Sequence, residues 1–197
     1  MEEKEELEEL ENVEETQKKT SIYRIIAEVI IYIALILICI FVIPKYVVQR
    51  TIVDGQSMMN TLHNNDNLIV EKVSYRFGDP ERFDIIVFYP YGKEEDPEDY
   101  YVKRVIGLPG ETVQIIGSDI FINGDLLEEN YGRVPIRHAG VAKEPFTLGP
   151  DEFFVLGDNR EASEDSRAFG AVNKSDISGQ VVLRIYPFNR FGLMTNK

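Results

Sequence analysis

The chain has 197 residues and a formal net charge of -13, from 34 acidic and 21 basic side chains. That balance argues against a nucleic-acid partner, which needs concentrated positive charge. The single cysteine, Cys39, rules out a disulfide framework, and the two histidines, His63 and His138, show no metal-ligand spacing, so neither a metal nor another cofactor is expected.

Residues 1–20 carry nine glutamates against three lysines, and the thin spacing of Leu7, Leu10 and Val13 reads as a solvated acidic tail. From Ile25 to Ile43 the chain is apolar except for Glu28 and Tyr32. Nineteen residues at about 1.5 Å each span roughly one hydrocarbon thickness, which predicts a transmembrane helix. A cleaved secretory leader fits less well: the flank before it is acidic, and Ile43-Pro44-Lys45-Tyr46 follows in place of small residues. The expected organisation is a tail over 1–22, a membrane helix over 23–44 and one domain over 45–197, with a small appended segment around 118–150. Lys18, Lys19 and Arg24 before the helix, against Lys45 and Arg50 after it, lean weakly toward a cytoplasmic N-terminus.

Beyond the helix the pattern changes to short β-branched and aromatic runs between turn residues, which predicts a mainly β domain. The strands expected are 46–53, 67–73, 83–89, 100–108, 112–116, 120–122, 153–156 and 180–186. Asn123-Gly124 marks a type I′ hairpin turn. Lys93–Asp99 reads as an acidic loop.

The first of these runs breaks at Gly55 and delivers Ser57 beside Met58 and Met59. A serine hydroxyl becomes a nucleophile only when a base takes its proton. His63 is the nearest imidazole, but there is no Gly-x-Ser-x-Gly elbow and no alternating helix–strand pattern, so His63 reads as a loop residue. A Ser-x-x-Lys pair is absent because Asn60 stands three residues after Ser57. Lys103 can act as base if burial keeps it neutral, and its same-face strand neighbours, Tyr101 and Val105, are largely apolar. Arg104 is flanked by Val102 and Ile106 in the same way, so periodicity leaves open which of the two cations is buried. A third stretch, 155–170, crowds Asp158, Asn159, Glu161, Glu164 and Asp165 beside Arg160 and Arg167. It lacks the spacing of a calcium loop and reads as a salt-bridged support.

Three stretches carry a resemblance: Gly55-Gln56-Ser57-Met58-Met59-Asn60-Thr61-Leu62, Tyr101-Val102-Lys103-Arg104-Val105-Ile106-Gly107-Leu108-Pro109-Gly110, and Gly157-Asp158-Asn159-Arg160-Glu161-Ala162-Ser163-Glu164-Asp165-Ser166-Arg167. In this order, behind one apolar span, they resemble the type I signal peptidases of bacteria over about residues 23–192. The resemblance implies an extracytoplasmic domain of antiparallel sheets and a serine endopeptidase that cuts signal peptides from exported preproteins at the membrane. It implies a catalytic pair of Ser57 and Lys103, with Ser163 orienting the lysine amine, Asp165 and Arg167 paired to hold their loop, and Asp158 bracing the turn.

The chain departs from the family pattern at Asn60, where proline is usual, at Glu111, where aspartate is usual, and at Phe83, where glycine is usual. Gly55 stands where some members have a hydroxyl residue that donates to the oxyanion. A Ser-Lys self-cleaving repressor would share the pair but would need a DNA-binding domain in place of the apolar span. A non-catalytic anchored β domain is the rival from another class. Two further expectations follow. Small residues should be required at the first and third positions before the cut, and Ile185–Phe191, rich in Tyr and Phe beside Arg190, should help seat the domain on the bilayer.

Overall fold

The computed structural model describes residues 22–92, 100–132 and 134–194. Nearly all of the acidic tail, and the acidic loop Lys93–Asp99, lie outside the described residues. The chain divides between Lys45 and Tyr46 into two compact units.

The first unit carries all but the last residue of helix α1, Ile22–Tyr46, which is long and apolar enough to cross a membrane. Its isoleucines, leucines and valines are exposed throughout, as a lipid-facing helix requires. Pro44 has no N–H for the carbonyl four residues back. Just before it the helix widens into a π turn, Ile38–Val42, in which the Ile43 N–H bonds Ile38 O.

The second unit is mainly β, and every strand pair in it is antiparallel. The strands are β1 Val48–Ile52, β2 Asn67–Glu71, β3 Ile85–Phe88, β4 Tyr101–Gly107, β5 Thr112–Ile116, β6 Asp119–Ile122, β7 Asp125–Leu126, β8 Phe146–Thr147, β9 Glu152–Leu156, β10 Val172–Asn173, β11 Ile177–Tyr186 and β12 Gly192–Leu193. One sheet runs β1-β2-β11-β3-β4-β9-β10, with β12 beside β11; the other runs β7-β6-β5-β8. Two single-turn helices interrupt them, α2 Ser74–Phe77 and α3 Ser166–Phe169.

The core follows from period-2 alternation on strands buried on both faces. Ile85 and Val87 of β3 join Val53, Met58, Leu62, Leu68 and Val70, whereas Ile86 and Phe88 join Val105, Phe153 and Val155. Ile106 and Leu156 tie the large sheet to Val113, Ile115 and Ile120 of the small one. Asn123 and Gly124 have φ of 54° and 91°, the doubly positive pair that a type I′ turn needs, and they join β6 to β7.

Two features of this framework place the site. Among the described residues β1 is an edge strand, paired only with β2. On β4, β9 pairs from Arg104 onward, so among the described residues Tyr101–Lys103 have a strand neighbour, β3, on one side only.

Candidate active site

Leaving β1, the chain makes a closed loop: the Val53 N–H bonds Asp66 O and the Asn65 N–H bonds Val53 O, both at 2.9 Å. Inside it, the Met59 N–H to Gln56 O and Leu62 N–H to Met58 O bonds wind residues 56–62 into a turn. The side chains of Met58 and Leu62 are buried in the core below, which leaves Ser57 half-buried at the surface of that turn.

Asn60 closes the turn at φ 70°, a left-handed conformation open to asparagine and closed to proline. Phe83 also has positive φ, 74°, which accounts for glycine being usual there. Its ring packs on Tyr131 with centroids 5.1 Å apart.

β4 brings Lys103 to this turn, with its Nζ 2.9 Å from Ser57 Oγ and 3.2 Å from Val102 O. The amine lies 4.8 Å from the centroid of the Tyr101 ring, and that ring packs on Phe88 and Phe169. Lys103 is 4% exposed. Burial pulls its pKa down to about 8, against the opposing pull of Asp165 and Glu164.

Arg104, the alternative cation, is buried as well, but in a different setting. Its Nε and Nη2 donate to the two oxygens of Asp158 at 2.9 and 2.7 Å, and its Nη1 donates to Phe83 O at 2.8 Å. Tyr131 covers the guanidinium, with the ring centroid 3.6 Å from Cζ. Asp158 also accepts from the Thr61 hydroxyl, so the Arg104–Asp158 pair is tied to the turn that carries Ser57. Residues 157–167 complete the enclosure. The Asn159 N–H bonds Ser57 O at 2.9 Å and Asn159 Nδ2 donates to Gln56 O at 3.1 Å. Asp165 accepts from Arg167 Nε and Nη2, each at 2.8 Å, and from the Gly157 N–H at 3.1 Å. A Cβ at Gly157 would fall 2.2 Å from Ser163 Oγ and 2.5 Å from Ser57 O, so only glycine lets this loop close on the turn.

The resemblance implies that Ser163 orients the amine. Its Oγ is buried without a hydrogen-bond partner among the described residues, and the second contact of the amine is Val102 O. The side chain lies close to the Gly157 backbone, on the side where Ser57 O also approaches it. His63 is half-buried in the loop, its Nδ1 buried and without a partner among the described residues. No group of acidic, histidine or cysteine side chains arranged for a metal is present among the described residues.

The pair opens into a cleft of about 540 Å³, lined on one side by Ile52–Met58 and on the other by Tyr100–Lys103, with Ala162 and Glu164 at the rim. Tyr131, Thr61, Gly157 and the Val102 carbonyl are contributors that sequence patterns did not single out. Glu111, in place of aspartate, accepts from the Leu108 N–H at 2.7 Å and from Arg82 at 2.6 Å, holding the turn after β4.

Similarity to known proteins identifies the family of the chain. Residues 26–186 match the family model described as signal peptidase, peptidase S26. The chain is 46% identical over 155 residues to signal peptidase I of Leptolyngbya laminosa, covering 76% of this chain and 74% of that protein. It is 42% identical over 158 residues to signal peptidase I of Bacillus caldolyticus, covering 74% and 84%. It is 33% identical over 181 residues to signal peptidase IB of Staphylococcus aureus strain COL, covering 84% and 92%. A crystal structure of a signal peptidase I from Enterococcus faecalis V583 aligns with 53% of this chain and 97% of its own, at 34% identity and a TM-score of 0.42. With the family model spanning most of its length, the chain belongs to the S26 signal peptidase family.

Proposed function

We propose that the chain is a membrane-anchored serine endopeptidase that removes N-terminal signal peptides from exported preproteins through a Ser57–Lys103 pair, with its N-terminus cytoplasmic and the β domain outside. The observation that carries this reading is the 2.9 Å approach of Lys103 Nζ to Ser57 Oγ within a cleft flanked by two open strand edges.

Neutral Lys103 takes the proton of Ser57 Oγ as that oxygen adds to the scissile carbonyl. The Ser57 N–H, which makes no hydrogen bond among the described residues, is the donor assigned to the resulting oxyanion. Lys103 then returns the proton to the leaving amine. Water, deprotonated by the same lysine, releases the acyl group. An extended substrate lies between β1 and the first half of β4 as an added strand, so alternate side chains enter the cleft. This is the basis for small residues at the first and third positions before the cut, and a phenylalanine at either position should block cleavage. Asp158, Asp165 and Arg167 are assigned to holding the two loops around the pair, not to the reacting atoms.

The test is cleavage of a preprotein by wild type, Ser57→Ala and Lys103→Arg. Arginine keeps the charge and cannot lose a proton at working pH. Both variants should fall by about 10⁴-fold or more in kcat with unchanged circular dichroism. Activity retained in Lys103→Arg rejects the pair, and dependence on His63 instead would show as loss in His63→Ala.

A further inference from the structure

The cleft is lined by two carboxylates that the mechanism does not use, Asp54 in the loop that leads to Ser57 and Glu164 in the stretch 157–167. The other carboxylates of residues 157–167 are paired: Asp158 with Arg104, Glu161 with Arg137 and Asp165 with Arg167. Among the described residues, Asp54 and Glu164 form no ion pair, and Lys103 is the single cation that lines the cleft. In the reading above, on which this inference rests, that lysine works without its charge. The charges that the described residues present to the cleft in its working state are therefore the two carboxylates.

Glu164 is exposed yet held in place, since the Tyr91 hydroxyl donates to its Oε1 at 3.0 Å. A charge fixed in this way at the wall of a concave, partly desolvated site acts on a bound peptide more strongly than a mobile surface charge. We propose that Glu164 makes this cleft select its substrates by charge, favouring a basic residue and disfavouring an acidic one close to the scissile bond. Asp54 is exposed, lines the same cleft and adds to the same field. A unit charge on the residue beside Glu164 changes kcat/KM by about tenfold, which corresponds to about 1.4 kcal/mol. Salt weakens the effect because the rim is open to solvent.

The test uses the full chain in detergent micelles and one preprotein carrying a single Lys, Gln or Glu at each position from three before to three after the cut, omitting the two positions that need small side chains. For wild type, the Lys-to-Glu ratio of kcat/KM should reach about tenfold at one or more positions and shrink in 1 M salt. Glu164→Gln should bring that ratio to within about twofold, and Glu164→Lys should invert it. The ratio is read within each variant, so a general loss of rate does not affect it. An equal ratio in wild type and Glu164→Gln overturns the proposal while cleavage itself upholds the peptidase reading. A ratio that responds only to Asp54→Asn likewise removes Glu164 from the role. Wild type that cuts no better than Ser57→Ala overturns the peptidase reading, and this proposal with it.

Discussion

Lys103 and Arg104 are neighbours on one strand, both buried, and their partners set them apart. Arg104 has a carboxylate with two oxygens, a carbonyl and an aromatic face, so its charge is compensated where it lies. Lys103 has a hydroxyl, a carbonyl and a ring, a set that suits a neutral amine. Its pKa in the folded protein, about 8, lies below the ordinary 10.5. Cleavage that needs the free amine should rise with pH along a limb centred near 8. The same displacement bears on stability. Between about pH 8 and 10.5 the unfolded chain binds more protons at this site than the folded one, so the lysine's contribution becomes more favourable as pH rises through that window. Below pH 8 the folded domain carries the whole penalty of a buried cation, on the order of 3 kcal/mol. Lys103→Met, of similar volume, should be inactive yet more stable at pH 7 by about 1–3 kcal/mol, with the gain shrinking toward pH 10.5. Urea unfolding of residues 46–197 at several pH values measures this, and a Met variant less stable at every pH contradicts it.

Ser163 poses a related question at the same scale. A buried hydroxyl without a partner costs about 1–3 kcal/mol, so Ser163→Ala should leave stability unchanged or improve it. If the hydroxyl engages the amine during turnover, kcat should nonetheless drop about tenfold, with KM little changed. An alanine variant with wild-type kcat removes Ser163 from the mechanism.

At the scale of elements, the strands were legible because nearly all of them alternate or are continuously apolar, as in Ile85-Ile86-Val87-Phe88. The eight long runs expected from sequence all appear. The two-residue strands β7, β8, β10 and β12 were not legible, since two residues carry no period. The start of β11 at Ile177 was obscured by Ser178 and Gly179, which interrupt the apolar pattern and accompany a register shift opposite β3. The site was legible as three separate stretches. The contacts that join them were not, because Tyr131 reaches Arg104, and Thr61 reaches Asp158, across long chain separations that no local pattern encodes. The turn after Ser57 offers a direct check. Asn60 at φ 70° occupies a conformation that proline, fixed near -65°, cannot enter. Asn60→Pro should therefore cost about 2–3 kcal/mol, lowering Tm by roughly 5–10 °C for a domain of this size. Asn60→Gly should stay within about 1 kcal/mol of wild type. Thermal unfolding distinguishes them, and a proline variant of unchanged Tm means that this turn has a second path of equal energy.

At the scale of the whole molecule, the last strands join the nucleophile loop to an exposed apolar patch. Tyr186, Phe188, Phe191 and Leu193 are exposed, Phe188 by 81%. The segment that bears them is fixed in place: Arg184 Nε donates to Arg190 O at 2.6 Å, and Arg190 Nη2 donates to Asp66 at 2.8 Å. Asp66 is fully buried, and its backbone closes the loop around Ser57 through Val53. Arg184 also donates to Thr61 O at 2.9 Å. Aromatic side chains next to arginine suit the interface between water and lipid, so we expect this patch to seat the domain on the bilayer and hold the cleft at a fixed height above it. A packing edge for another protein would show the same exposure but no affinity for lipid. Each phenylalanine contributes about 1 kcal/mol when partly buried in the interface. Phe188→Ser with Phe191→Ser should therefore weaken vesicle binding of residues 46–197 by about tenfold or more in flotation. In the full chain, cleavage of a preprotein embedded in vesicles should fall while cleavage of a short soluble peptide stays near wild type. Near-ultraviolet circular dichroism verifies the fold of the double variant. Unchanged flotation by a correctly folded variant removes the patch from membrane seating and leaves Arg184, Arg190 and Asp66 with a purely internal role.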